Sequence, residues 1–140
     1  MVDEAWIPAV YELAKPENKV QMAGPYFDNV DDTDFELMFR VPLPATKGNL
    51  RLHIDGVRVG VFDADPANNV QKYIVYGIAY NRNEKLFNDP QPIVAPELRE
   101  RRFPAAEVSS WESIMVRVWC VVSAPNDLNI SSVMVHCYYE

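Results

Sequence analysis

Positive charge is scarce in this chain. Thirteen Lys and Arg stand against twenty Asp and Glu, which leaves a net charge of −7, and there are only two His. A protein that grips nucleic acid without regard to sequence draws its affinity from Lys and Arg on phosphates, so the balance argues against that class and against a direct nucleic-acid partner. No apolar stretch approaches the roughly 20 residues of a membrane-spanning helix, and no membrane span is expected. The opening residues Met1-Val2-Asp3-Glu4-Ala5-Trp6 are acidic and lack an apolar leader core. Two Cys are too few for a disulfide-dense scaffold. Gly numbers five, against eleven Pro.

Pro interrupts helix interiors and central strands alike, so eleven of them imply many connections. Seven Tyr, six Phe, three Trp and abundant Val suit strands. With 140 residues, 49% of them hydrophobic, the chain has the size of one domain with its own core. Residues 1–140 are accordingly read as a single domain.

The hydrophobic period supports this class. Phe35, Leu37, Phe39 and Val41 alternate with polar or flexible neighbours, the pattern of a half-buried strand. Leu50, Leu52 and Ile54 alternate in the same way, and Val57, Val59 and Val61 resume after Asp55-Gly56. Asp-Gly between two alternating runs predicts a two-residue hairpin. Residues 70–80 read as a long strand, Lys85-Leu86-Phe87 as a short one, and residues 63–69 and 81–84 as turns. Ile114 to Val122 and Val133 to Tyr139 alternate and read as a closing hairpin. Two helices are expected. One lies between Pro8 and Pro16, where Val10, Leu13 and Ala14 fall at helical spacing. The other is one or two turns near Pro96–Arg101, within a Pro-rich connection over 88–107. The prediction is an all-β antiparallel sandwich, jelly-roll-like, with those short helices. Its expected core includes Phe35, Leu37, Phe39, Leu50, Leu52, Ile74, Ile78, Val116, Val118, Val133 and Val135.

Candidate chemistry is sparse. His53 and His136 sit on the polar sides of predicted strands with no nucleophile motif such as G-x-S-x-G nearby. They read as rim residues, with a small hydrolase using either one as an alternative. Cys120 and Cys137 lack metal-ligand spacing; in the closing hairpin they would face each other, as free thiols or as a disulfide. Asp28, Asp31, Asp32, Asp34 and Glu36 lack the spacing of a calcium loop and read as a solvated turn. No metal ligand set and no cofactor is predicted. Asn129-Ile130-Ser131 is a glycosylation triplet. Arg99, Arg101 and Arg102 form the one dense basic run and read as an interaction loop toward an acidic partner or a second copy. Trp111, Trp119 and Tyr138 are candidates for stacking on a ligand.

The stretch from Trp111 to Tyr139, with its Asn126-Asp127-Leu128 corner and Ser131-Ser132-Val133 entry to the last strand, resembles the closing strands of picorna-like viral capsid β-sandwiches. The resemblance implies a jelly roll and a coat or projecting domain at a virion surface. It implies self-association or contact with other capsid subunits, and attachment to a host receptor or glycan. The acidic balance and the absence of a basic arm suit a projecting domain better than a shell. The sequence thus predicts a non-enzymatic structural or interaction module. A carbohydrate- or ligand-binding β-sandwich is the alternative.

Overall fold

The computed structural model describes residues 3–45, 47–63, 73–80, 84–92, 97–109 and 113–140, with 73–80, 84–92 and 97–99 described through their backbone. Among these residues the chain forms eleven strands: β1 (Glu4–Pro8), β2 (Val10–Lys15), β3 (Val20–Ala23), β4 (Tyr26–Asn29), β5 (Phe35–Pro42), β6 (Leu52–Asp63), β7 (Tyr73–Tyr80), β8 (Glu84–Pro92), β9 (Glu97–Glu107), β10 (Ser113–Val121) and β11 (Leu128–Tyr139). The described helical content is one 3₁₀ turn, Glu17–Lys19.

The strands make two antiparallel sheets. One runs β3-β4-β11-β6-β9, with β1 also on β11; the other runs β2-β5-β10-β7-β8. Taken from β4 onward, the chain passes from one sheet to the other at every step except from β7 to β8, which pair directly, so that β4, β11, β6 and β9 make up one sheet and β5, β10, β7 and β8 the other. Eight antiparallel strands wound this way are a jelly roll. The alternating residues of β5, β10, β6 and β11 supply the core between the sheets, with Phe35, Leu37, Val116, Val118, Val59 and Val135 almost fully buried. Phe39, Leu52 and Val133 join them, as the alternation predicts. Leu50 does not. It lies outside β6, bridged to Lys47 in a tight turn, and is 44% exposed. The side chains of Ile74 and Ile78 lie outside the described set.

Four local expectations are corrected. The segment between Pro8 and Pro16 is not helical. β1 adds to β11 and β2 adds to β5, so the chain steps from one sheet to the other at Ala9. Two sheet edges offering unpaired backbone groups outweigh a weak helical spacing.

Asp55-Gly56 does not turn the chain, because β6 continues through it. Gly56 pairs with His136 on one side and Arg102 on the other, while Ile54 pairs with Cys137 and Ala106. Asp55 is therefore an extra residue against β11, a bulge, while on the other side it faces the unpaired stretch Phe103 to Ala105 of β9. A bulge shifts the inward set from even to odd positions, which is the change of phase seen in the sequence. It also needs a small residue: a Cβ on Gly56 would lie 3.1 Å from Arg102 Cδ and 3.3 Å from His136 Cβ.

Most of the 88–107 region is strand. β8 and β9 are the outer strands of their sheets, where Pro90, Pro92 and Pro104 remove no hydrogen bond that an interior ladder would need. Residues 93–96 lie outside the described set, as do 64–69 and 81–83 of the turns expected at 63–69 and 81–84, whose remaining residues, Asp63 and Glu84, are the last of β6 and the first of β8. Lastly, β10 and β11 are not a hairpin; they are the middle strands of opposite sheets. Asn29 fixes the crossing between them. Its side-chain NH₂ donates to the carbonyls of Asp31 (2.7 Å) and Ala124 (2.6 Å), and its Oδ1 accepts from the backbone N–H groups of Asp127 and Leu128.

Candidate functional site

Trp119 belongs to β10, the middle strand of the five-stranded sheet, and the residue is 39% exposed. Val118 and Cys120 on either side point into the core, so strand alternation delivers the indole to the outer face. Across the ladder its register partner on β5 is Glu36, and Arg117 lies two positions along on the same face. Arg117 Nε donates to Glu36 Oε1. The Glu36 side chain is only 8% exposed while Arg117 keeps 41%. The Glu36 carboxylate, as hydrogen-bond acceptor, raises the Arg117 guanidinium above its ordinary value. On the other side, β7 sets Gly77, which has no side chain, opposite Arg117. The result is an aromatic plate beside a charged, hydrogen-bonding pair, next to a strand that adds no bulk at that position.

The outer face of the six-stranded sheet carries a second polar group. His136, 4% exposed, places Nδ1 2.5 Å from Asp55 Oδ1 and Nε2 3.3 Å from Glu4 Oε2. Arg102 reaches the same Asp55 at 3.5 Å. Trp6 packs on His136, with the Arg58 guanidinium 3.9 Å and that of Arg102 5.1 Å from its ring centroid. Arg58 also pairs with Glu100 at 2.6 Å and holds that carboxyl below its usual range. His53 stacks on Tyr138, centroids 5.1 Å apart and nearly parallel. Every charge named here has an opposite partner, and Trp6 is covered by guanidinium groups. This network closes upon itself.

The predicted site residues therefore separate. Arg99, Arg101 and Arg102 lie on strand β9, not on a free loop. Arg102 is engaged by Asp55, Arg101 is half-buried, and the Arg99 side chain lies outside the described set. Trp111 also lies outside it. Tyr138 and Trp119 are on opposite sheets and cannot share one ligand. His136 sits with Asp55, Glu4 and Arg102, none of them a hydroxyl or thiol nucleophile, and His53 Nδ1 lies 3.2 Å from the Arg51 carbonyl. Cys120 and Cys137 are free and buried, one in each sheet. Asn129 is 7% exposed within β11, so its glycosylation triplet is not an accessible acceptor in the folded chain. Nothing in the local pattern signals the Asp55–His136 and Glu36–Arg117 pairs, each of which joins residues 81 apart.

A groove of about 410 Å³ runs beside β1, floored by Ile7, Cys137 and Tyr139, with Lys47 and Asp3 paired at its mouth. Among the described residues no group of three His, Cys, Asp or Glu side chains is placed to hold a metal ion, and no helix is long and apolar enough to cross a membrane.

No protein-family model matches the chain, and no curated protein matches it. Among the solved structures similar to it are the following two. One is Arthrobacter globiformis T6 isomalto-dextranase complexed with panose, 9% identical with a TM-score of 0.50, over 96% of this chain and 23% of that one. The other is TmCBM61 in complex with beta-1,4-galactotriose, 13% identical with a TM-score of 0.47, over 96% of this chain and 86% of that one. This chain thus spans under a quarter of the first structure's length, and the likeness is one of fold.

Proposed function

We propose that the protein is a non-catalytic recognition sandwich that binds carbohydrate on the outer face of its five-stranded sheet. One observation carries the reading: a Trp residue more than one-third exposed, on the middle strand, with a polarised ion pair beside it. A sugar ring has an apolar C–H face and a rim of hydroxyls. An indole plate takes the first, and a guanidinium with a carboxylate takes the second, donating and accepting respectively. Fold alone assigns no function, so the argument rests on Trp119, Arg117 and Glu36 and not on the similarity to sugar-complexed proteins.

The test is a glycan panel read by intrinsic fluorescence and calorimetry. Trp119→Ala should weaken binding on the order of tenfold or more, as expected for removal of an anchoring aromatic. Tyr138→Ala, on the other sheet, should leave it unchanged. Absence of binding across the panel, or equal losses in the two variants, rejects the assignment. Release of new reducing ends from a bound glycan would overturn its non-catalytic half.

Association with copies of itself is a second reading with its own support. β2 is an edge strand of the five-stranded sheet, yet Val10 is 59%, Tyr11 40% and Leu13 38% exposed. An unpaired edge with apolar side chains is a template for another strand. This is the form in which an assembly role, as implied by the capsid resemblance, finds a surface here.

A further inference from the structure

The outer face of the five-stranded sheet carries its charges unevenly. β5 and β10 turn Glu36, Arg40, Arg117 and Trp119 to that face, and the register of β2 adds Val10, Leu13 and Lys15. Glu12, out of register between Tyr11 and Leu13, reaches Arg40 there. On β2, β5 and β10 three cations thus share this face with two acids, in a chain whose net charge is −7. Exposure sharpens the difference, because in both ion pairs the cation is the outer member. The Arg117 side chain keeps 41% of its surface against 8% for Glu36, and Arg40 keeps 51% against 30% for Glu12. Lys15 is exposed and has no ion-pair partner among the described residues.

A ligand on this face therefore meets positive charge, with the counter-charges set beneath. Arg117 uses its Nε–H on Glu36, and its terminal nitrogens donate to no described residue. Those two nitrogens form a fork that matches the two oxygens of a carboxylate. Lys15, Glu36 and Trp119 occupy one row across β2, β5 and β10. Lys15 thus starts about 10 Å from the indole, two strand spacings away, and Arg117 starts roughly 7 Å from it along β10. A sugar ring stacked on Trp119 has its substituents within reach of both long side chains.

We propose that the glycan taken by this face is acidic, a chain whose sugar rings carry carboxylates as uronic acids do. The inference rests on the reading of Trp119 as a sugar platform and adds the ligand class. A neutral sugar leaves Lys15 and the Arg117 terminus hydrated and gains nothing from their charge. A uronate pairs its carboxylate with either one while its C–H face rests on the indole. The net charge sets a limit from the other side. A densely sulfated polymer is repelled by the field of the whole chain, so spaced carboxylates suit the surface better.

The experiment is calorimetry of the full chain with uronic-acid oligosaccharides of several linkages, each paired with its carboxyl-reduced form, which keeps ring and linkage and loses the charge. The uronate should bind about tenfold tighter than its reduced partner at low salt, and the ratio should shrink as salt rises toward roughly 0.5 M. Lys15→Gln, at an exposed position outside any described ion pair, should lower that ratio roughly threefold. Equal binding of charged and reduced forms overturns the acidic class and leaves the sugar platform standing. An unchanged ratio in Lys15→Gln overturns the part given to Lys15, and a sulfated glycan that binds tighter than the uronate overturns the choice of carboxylate. If neither form binds at any linkage, or if Trp119→Ala weakens neither, the platform itself is rejected and the inference with it.

Discussion

Leu50 and Leu52 are the same residue two positions apart in one alternating run, and the structure gives them opposite fates. Leu52 is 1% exposed and Leu50 is 44% exposed. The backbone at Leu52 is held on both sides: its N–H donates to Ser109 Oγ at 2.7 Å, and its carbonyl accepts from the Val108 N–H at 2.8 Å. Collapse around a truncated side chain is therefore restricted. Leu52→Ala should lose the transfer energy of the removed carbons plus the void, about 3 kcal/mol in all. Leu50→Ala removes carbons already half in water and leaves no closed cavity, so about 1 kcal/mol is its ceiling. A gap of about 2 kcal/mol corresponds to roughly 6 °C in Tm for a chain of this size. Urea unfolding followed by circular dichroism should show the Leu52→Ala midpoint well below that of Leu50→Ala, with equal slopes. Matching midpoints would refute the placement of β6 and with it the bulge at Asp55.

Two further outcomes follow from burial and from the exposed edge. Burial pushes the Cys137 thiol up to about 12 and that of Cys120 higher still, while unfolded thiols ionise near 9. The folded chain thus keeps protons that the unfolded chain loses. Their contribution to stability is complete below about pH 9 and fades as pH rises toward 12. A Cys120→Val, Cys137→Val double variant should lose stability less steeply over that window, and parallel curves would contradict the burial. At the β2 edge, Val10→Lys with Leu13→Lys should reduce concentration-dependent association measured by light scattering, and a parent chain that stays monomeric at every concentration would dismiss the self-association reading.

Strand content was legible where one face is wet. β10 alternates because it presents one side to the core and the other outward; β5 keeps a similar pattern in sequence, although Glu36 and Met38 on its outer side are themselves covered. Partners were not legible, because β11 pairs with β6, β4 and β1, all far away along the chain. β2 escaped notice because an exposed edge strand needs no alternation; its buried Ala14 is a lone exception among six residues. β8 and β9 were hidden by their Pro residues, which signal a loop in sequence and an edge strand in space. The same logic holds for the site. Trp119 stood out as an aromatic on a polar side, but Glu36, which polarises the plate's surroundings, comes from β5. The Asp55-Gly56 signal was real in that something changes phase there. A bulge and a turn share that signature, and only the occupied ladders on both sides of β6 distinguish them.

The jelly roll also sets an order of events during synthesis. β4 and β6 leave the ribosome early, yet the strand that lies between them is β11. β5 and β7 wait in the same way for β10. Neither sheet can close until the last two strands are made, so a growing chain carries several unsatisfied strand edges for most of its translation. Ribosome-stalled chains ending before Ser113 should be protease-sensitive throughout and bind chaperones that recognise extended apolar segments, whereas release of β10 and β11 should bring protection to both sheets at once.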